Sequence, residues 1–348
     1  MLRLNPDKRI NGNIEFLRFF FAYYIAIEHF CMKIPGGLPS VDFFFLIAGY
    51  YQMQKMTSRT DFSPFRYILQ RFIGMMFLYE SSIILMNLVG DEGFSLRQFV
   101  GGLYRSIPDM FCLQMSGFYE IHVNSPLWYI SAMMIAGFLL ALLYSYNSRL
   151  FTHALPVIAL LCYAGLFYYQ GDMDATYFPN ITYPTPHLIP LGTVRAIGGL
   201  SLGCMLFQFS AAFSDKLKDR KYRLFFSCAE VASYLIMLYG VFFNHHNHFD
   251  FYYLILLPVA LVSALSQNTY WGSFFNRIGQ FLVSLFGKQY TLAVFCFQIF
   301  AIRIYTLLFG ASLHLGAAIL VYSVILTVIS ILFTKLSDRF NARFLRRG

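Results

Sequence analysis

A chain of 348 residues that is 58% hydrophobic, 19% aromatic and only 12% charged, with mean hydropathy +0.57, has too little polar surface for a soluble globule. It reads as an all-α, polytopic membrane protein. The net charge of +9 does not require nucleic acid; anionic lipid headgroups or a phosphorylated small molecule account for it.

Apolar runs able to span about 30 Å of hydrocarbon, roughly 20 residues each, predict about ten membrane helices in a single domain over 1–348. They fall at 13–33, 39–55, 68–90, 126–146, 150–169, 188–210, 224–243, 250–266, 281–303 and 313–334. The ninth carries Lys288 inside it and Arg303 at its end. With the amino terminus in the cytoplasm, most of the 26 Lys and Arg fall on the inner side, and the outer segments, including the loop 91–125, keep only Lys33, Arg97 and Arg105. That bias places both termini in the cytoplasm.

The first run, Ile14 to Met32, holds Arg18 and His29, residue types that a membrane helix avoids unless they serve a function. Eleven positions at 100° each bring the two side chains to within about 20° of one face, roughly 16 Å apart along the axis. The run also carries Glu15 and Glu28 and has no small-residue cleavage site, so it is expected to be retained and not removed as a signal peptide. Glu28 points about 100° away from His29 and is not its partner. Past His29 stand Gly36-Gly37 and Asp42, and a short turn there predicts that Asp42 returns to the level of His29 and orients its imidazole.

Further along, Arg66 and Arg71 flank the start of the third helix and Trp128-Tyr129 the start of the fourth, while Arg195 lies deep in the sixth beside Gly198-Gly199. Structural roles compete at each position: Arg18 snorkelling to headgroups, Arg66 and Arg71 as positive-inside anchors, Trp128 as an interfacial belt residue, Arg195 in a buried ion pair. The six cysteines show no CxxC spacing and predict no disulfide framework. His245, His246 and His248 are too close in sequence to converge on one ion and have no completing ligands, so no metal is expected. Asp172, Asp174 and the Pro-rich stretch 179–190 read as an outer loop.

Taken together, Arg18 with His29, then Val41-Asp42-Phe43-Phe44-Phe45 and Gly49, resemble the acyltransferase-3 family of integral membrane acyltransferases, in which Arg, ten residues, His, a Gly-rich turn and Val-Asp recur. Pro126-Leu127-Trp128-Tyr129 and Arg195-Ala196-Ile197-Gly198-Gly199 are similar to later elements of that family, so the likeness covers most of the chain. The departures are Ser40 for Gly, Ala48 for Ser, and in the ninth helix Gln298 one position beyond the place where relatives often carry His.

The resemblance implies an O-acetyltransferase-like enzyme of the bacterial inner membrane. The implied donor is acetyl-CoA or another acyl-CoA, and the implied acceptor a hydroxyl of a surface glycan or lipid-linked sugar. In that scheme Arg18, Arg66 and Arg71 bind donor phosphates, His29 is the general base or acyl relay, and Asp42 orients it. Trp128, Tyr129 and Arg195 contact the acceptor. The alternative class is a transporter or flippase whose intramembrane charges line a path; the lack of internal duplication speaks against it.

Overall fold

The protein is described by a computed structural model covering residues 11–31, 38–89, 96–117, 123–169, 171, 190–243, 251–310 and 312–344. In chain order its helices are α1 (Gly12–Cys31), α2 (Leu38–Thr57), α3 (Pro64–Leu88), the short α4 (Leu96–Arg105) and α5 (Ile107–Met110), α6 (Trp128–Tyr146) and α7 (Ser148–Tyr169). They continue with α8 (Leu191–Ala212), the one-turn α9 (Ser214–Lys218), α10 (Arg223–Phe243), α11 (Tyr253–Ser266), α12 (Gly272–Phe286), α13 (Tyr290–Phe309) and α14 (Leu315–Phe344). The described regular structure is helical throughout, as the hydropathy pattern implies.

Among the described residues six helices are long and apolar enough to cross a membrane: Pro64–Leu88, Ser125–Tyr146, Ser148–Tyr169, Leu191–Ala212, Tyr290–Phe309 and Leu315–Arg343. The expected ten are not reached by that measure, and the shortfall has local causes. α1 and α2 are each 20 residues long, but Glu15, Arg18 and Glu28 dilute the first, and Gln52, Gln54 and Lys55 the second. The eighth predicted span shrinks to the 14 residues of α11. The ninth is two elements: Gly287 closes α12 with φ +97°, a conformation that disfavours side-chain-bearing residues, and α13 starts afresh at Tyr290.

Along the seam between α2 and α8 small residues let two backbones touch. A Cβ on Gly49 would lie 2.2 Å from the Leu200 carbonyl oxygen, and one on Gly203 2.1 Å from that of Leu46. Close contact of this kind replaces the hydrophobic drive that lipid cannot supply between helices. α13 runs through the core with Ala293, Val294, Cys296 and Phe297 all buried. Near its far end Arg303 Nη1 donates to the Met86 and Val89 carbonyls, each at 2.7 Å, and so ties off the end of α3.

Part of the predicted outer loop 91–125 is embedded in the bundle. Tyr79 Oη donates to the Asp109 carbonyl (2.8 Å), Ser131 Oγ to that of Cys112 (2.6 Å) and Thr193 Oγ1 to that of Met115 (2.8 Å). α5 and the turn after it are thereby pinned to α3, α6 and α8, which satisfies backbone groups that a buried non-helical segment would otherwise leave unpaired. Cys31 and Cys112 are both free. The residues His245, His246, His248, Asp172 and Asp174, the turn at Gly36-Gly37 and positions 179–189 lie outside the described residues.

The α2–α8 seam predicts that Gly203→Val lowers the thermal midpoint of the detergent-solubilised protein, at a cost of about 1–3 kcal/mol or more from overpacking. Gly165→Ala in α7, where an added Cβ meets nothing within 4 Å, is expected to leave the midpoint unchanged or raise it. Fluorescence-detected size exclusion after heating reads both.

Candidate functional site

Ser63 and Pro64 start α3: Pro64 occupies the first turn, where its missing N–H costs nothing, and Ser63 Oγ accepts from the Arg66 amide (3.4 Å). The phase thus set turns Tyr67 and Arg71, one helical turn apart, toward the bundle interior. There a cavity of about 410 Å³ opens between α1, α2, α3, α6 and α13. Arg18, Gln52, Lys55, Tyr67 and Arg71 line it, and Phe44, Tyr129 and Phe295 are among its apolar walls.

The charges in this cavity do not balance. Arg18 Nη1 reaches Glu15 at 2.9 and 3.2 Å. Arg71 instead donates to Tyr67 Oη (2.9 Å) and toward Met133 Sδ (2.7 Å), and Lys55 Nζ stands 5.2 Å from the centre of the Tyr67 ring. Among the described residues neither Arg71 nor Lys55 has a carboxylate partner. Three cations thus face one carboxylate in a partly dehydrated space, where unbalanced charge attracts an anion more strongly than at an open surface. Gln52 is held by its amide nitrogen to the Gly137 carbonyl (2.8 Å), and its Oε1, like Oγ1 of Thr291, which also lines the cavity, is buried without a hydrogen-bond partner.

His29 lies toward the other end of α1. Its Nδ1 is 2.9 Å from Gln298 Oε1, and Gln298 Nε2 donates back to the Phe295 carbonyl at 3.0 Å. Tyr322 Oη bridges the Ala26 and Gln298 carbonyls at 3.1 and 3.4 Å, so α1, α13 and α14 are stitched together one turn before His29. On the α1 face shared by Arg18 and His29, Ala22 and Ile25 fill the interval and are buried. His29 therefore does not line the Arg18 cavity, which is bounded by Phe44, Tyr129 and Phe295.

Asp42 does not orient His29. Its Oδ2 accepts from Arg195 Nη2 at 2.7 Å and its Oδ1 from Arg195 Nε at 3.2 Å, with the two side chains 0% and 1% exposed. The physical reason is level and phase. Phe43 packs against Phe21, ring centres 4.5 Å apart, about two helical turns below His29. Asp42 also shares its α2 face with Gly49, the face that touches α8. The same bidentate pair occupies Arg195, expected to contact an acceptor, as a structural cation instead.

The other sequence-derived candidates divide. Arg18, Arg71 and Tyr129 converge on the cavity. Arg66 does not: its side chain is 63% exposed and its carboxylate neighbour, Asp61, is 3.9 Å away. Trp128 is half-buried, packed edge-on to Phe45 and Tyr129 at the start of α6, outside the cavity. Lys55, Gln52 and Tyr67 were not singled out from the sequence. The signal for the first two was present, since Phe44, Ala48, Gln52 and Lys55 recur at helical spacing along one α2 face.

Among the described residues no group of three or more His, Cys, Asp or Glu side chains is arranged to hold a metal ion. Compared with known families, residues 11–335 match the model of the acyltransferase-3 acyltransferase domain. No curated protein and no solved structure matches the chain.

The Asp42–Arg195 pair predicts strong non-additivity. Arg195→Leu or Asp42→Ala alone strands a buried charge and is expected to cost about 3–5 kcal/mol, whereas the double variant is expected to recover part of that loss. Thermal midpoints of the four proteins in one detergent measure it; additive shifts would show that the two side chains are not coupled.

Proposed function

From the premise that this chain belongs to the acyltransferase-3 family and is a membrane acyltransferase, we propose that it moves an acyl group, acetyl in the first instance, from acyl-CoA to a hydroxyl of a glycan or lipid-linked sugar. The observation that carries the proposal is the cationic surplus of the Arg18–Lys55–Arg71 cavity, set on the α1 face that leads to His29. Phosphate is the anion such a site suits: guanidinium forks meet its oxygens two at a time, and Lys55 adds a point charge. Nη2 and Nε of Arg18 have no partner among the described residues and are available for this. The positive-inside bias supports a cytoplasmic mouth for the cavity, the side from which CoA arrives.

The chemistry then divides between the two ends of α1. Arg18, Lys55 and Arg71 hold the donor's phosphates, and the pantetheine arm extends toward His29. His29 takes the proton of the acceptor hydroxyl as that oxygen attacks the thioester carbonyl; the new C–O bond forms, the C–S bond breaks, and the proton passes to the departing thiolate. Because His29 does not line the cavity, aromatic walls such as Phe44, Tyr129 and Phe295 must give way for the thioester to reach the imidazole. Burying the reacting carbonyl behind them also keeps water from hydrolysing the thioester. The alternative of a permease loses support with the family assignment.

In membranes supplied with radiolabelled acetyl-CoA, His29→Ala is expected to abolish label transfer to glycan or glycolipid at normal protein levels; retained transfer would remove His29 from the mechanism. Arg71→Ala and Lys55→Ala are expected to raise the donor KM roughly tenfold or more, the size of a lost charge-assisted hydrogen bond. Arg18→Lys should rescue donor binding over Arg18→Ala only in part, because a lysine cannot reproduce the fork. Arg66→Ala, outside the cavity, should leave KM within twofold of wild type, and an equal loss there would mean that surface charge alone recruits the donor.

A further inference from the structure

We infer that Gln298 is the positioning residue of His29: it holds the imidazole as the Nδ1–H tautomer and so leaves Nε2 as the basic nitrogen. The inference rests on the reading of His29 as the base and adds which of its two nitrogens does the work, and what selects it.

Gln298 is fully buried on α13. The two ends of its amide are told apart by what they face. A backbone carbonyl only accepts, so the atom 3.0 Å from the Phe295 oxygen must be the NH₂ group. The end 2.9 Å from His29 Nδ1 is then the amide oxygen, which only accepts. Nδ1 must therefore carry the hydrogen, and in the neutral ring the lone pair lies on Nε2. Among the described residues His29 Nδ1 bonds to Gln298, and Nε2 has no protein partner.

The surroundings keep this geometry in place. Tyr322 Oη holds the carbonyls of Ala26 and Gln298 together, and Phe30 stacks on the Tyr322 ring with centroids 4.4 Å apart, so α1 and α13 cannot slide past each other near His29. Asp42, the carboxylate that the sequence offered for the task, has both oxygens committed to Arg195. A neutral amide in place of a carboxylate has a chemical consequence. It selects the tautomer without placing a negative charge beside the ring.

The test compares Gln298→Glu and Gln298→Leu with wild type through the pH dependence of acyl transfer. Glu keeps an acceptor at Nδ1 and adds charge, which stabilises the protonated ring. The acid limb of kcat should move up by about one pH unit, with the high-pH rate and the donor KM little changed. Leu removes the acceptor at similar size, and kcat should fall roughly ten- to a hundredfold with donor KM unchanged. A Leu variant within twofold of wild-type kcat, or a Glu profile that superimposes on wild type, would make Gln298 a packing residue and overturn the inference. If either variant fails to fold, wild-type protein labelled with ¹⁵N-histidine decides: the His29 ring signals, identified by their loss in His29→Gln, should report a protonated Nδ1 and a bare Nε2. The opposite tautomer would overturn the inference. Failure of the base assignment itself is separate, since it appears as transfer retained in His29→Ala.

Discussion

The buried pair between Asp42 and Arg195 is the constraint on which the rest of the arrangement depends. Two full charges with 0% and 1% exposure are tolerable at membrane depth only because they meet fork to carboxylate, each neutralising the other where water cannot. Satisfying that demand fixes the rotation of α2 against α8, and the close approach at Gly49 and Gly203 locks the same face in place. With Asp42 and Gly49 turned to α8, the opposite side of α2, bearing Phe44, Ala48, Gln52 and Lys55, has to face α1, α3 and α6. The cationic cavity is thus a consequence of where an unrelated-looking ion pair must sit.

The same economy of charge separates the two halves of the candidate site. Arg18 and His29 share one face of α1 with the buried Ala22 and Ile25 between them, and His29 is not among the residues that line the Arg18 cavity. Arg18 carries its own counter-ion one turn away in Glu15, whereas Arg71 and Lys55 lean on the hydroxyl and the ring of Tyr67. A cation supported by a neutral hydroxyl or an aromatic face retains more of its pull on an incoming anion than one already paired. The Arg18 end, with its surplus of cations, is accordingly suited to attracting an anion. The His29 end, framed by Gln298, Tyr322 and Phe30, is built for fixed orientation.

Much of this was legible in the residues. The helical class follows from composition, and the shared face of Arg18 and His29 follows from the α-helical repeat alone, because both depend on local geometry. Arg71 and Tyr129 stood out in the sequence through their places at the starts of helices, and both line the cavity. The pairing of Asp42 was not legible locally: the short turn after His29 pointed its carboxylate to that imidazole, while its partner stands 153 positions away on α8. The break at Gly287 was visible as a glycine inside a long apolar run, but hydropathy averages over such a residue and merged α12 with α13.

The residues alone encode whatever has a helical period or a transfer free energy behind it: a helical membrane chain, the register of Arg18 with His29, and the face of α2 on which Lys55 and Gln52 lie. Partnership comes from the fold. That Asp42 answers Arg195, that His29 answers Gln298 and that Lys55 and Arg71 share one cavity depend on which helices adjoin and at what level. Helix neighbours are chosen by packing of surfaces far apart in the chain, and no local pattern encodes that choice.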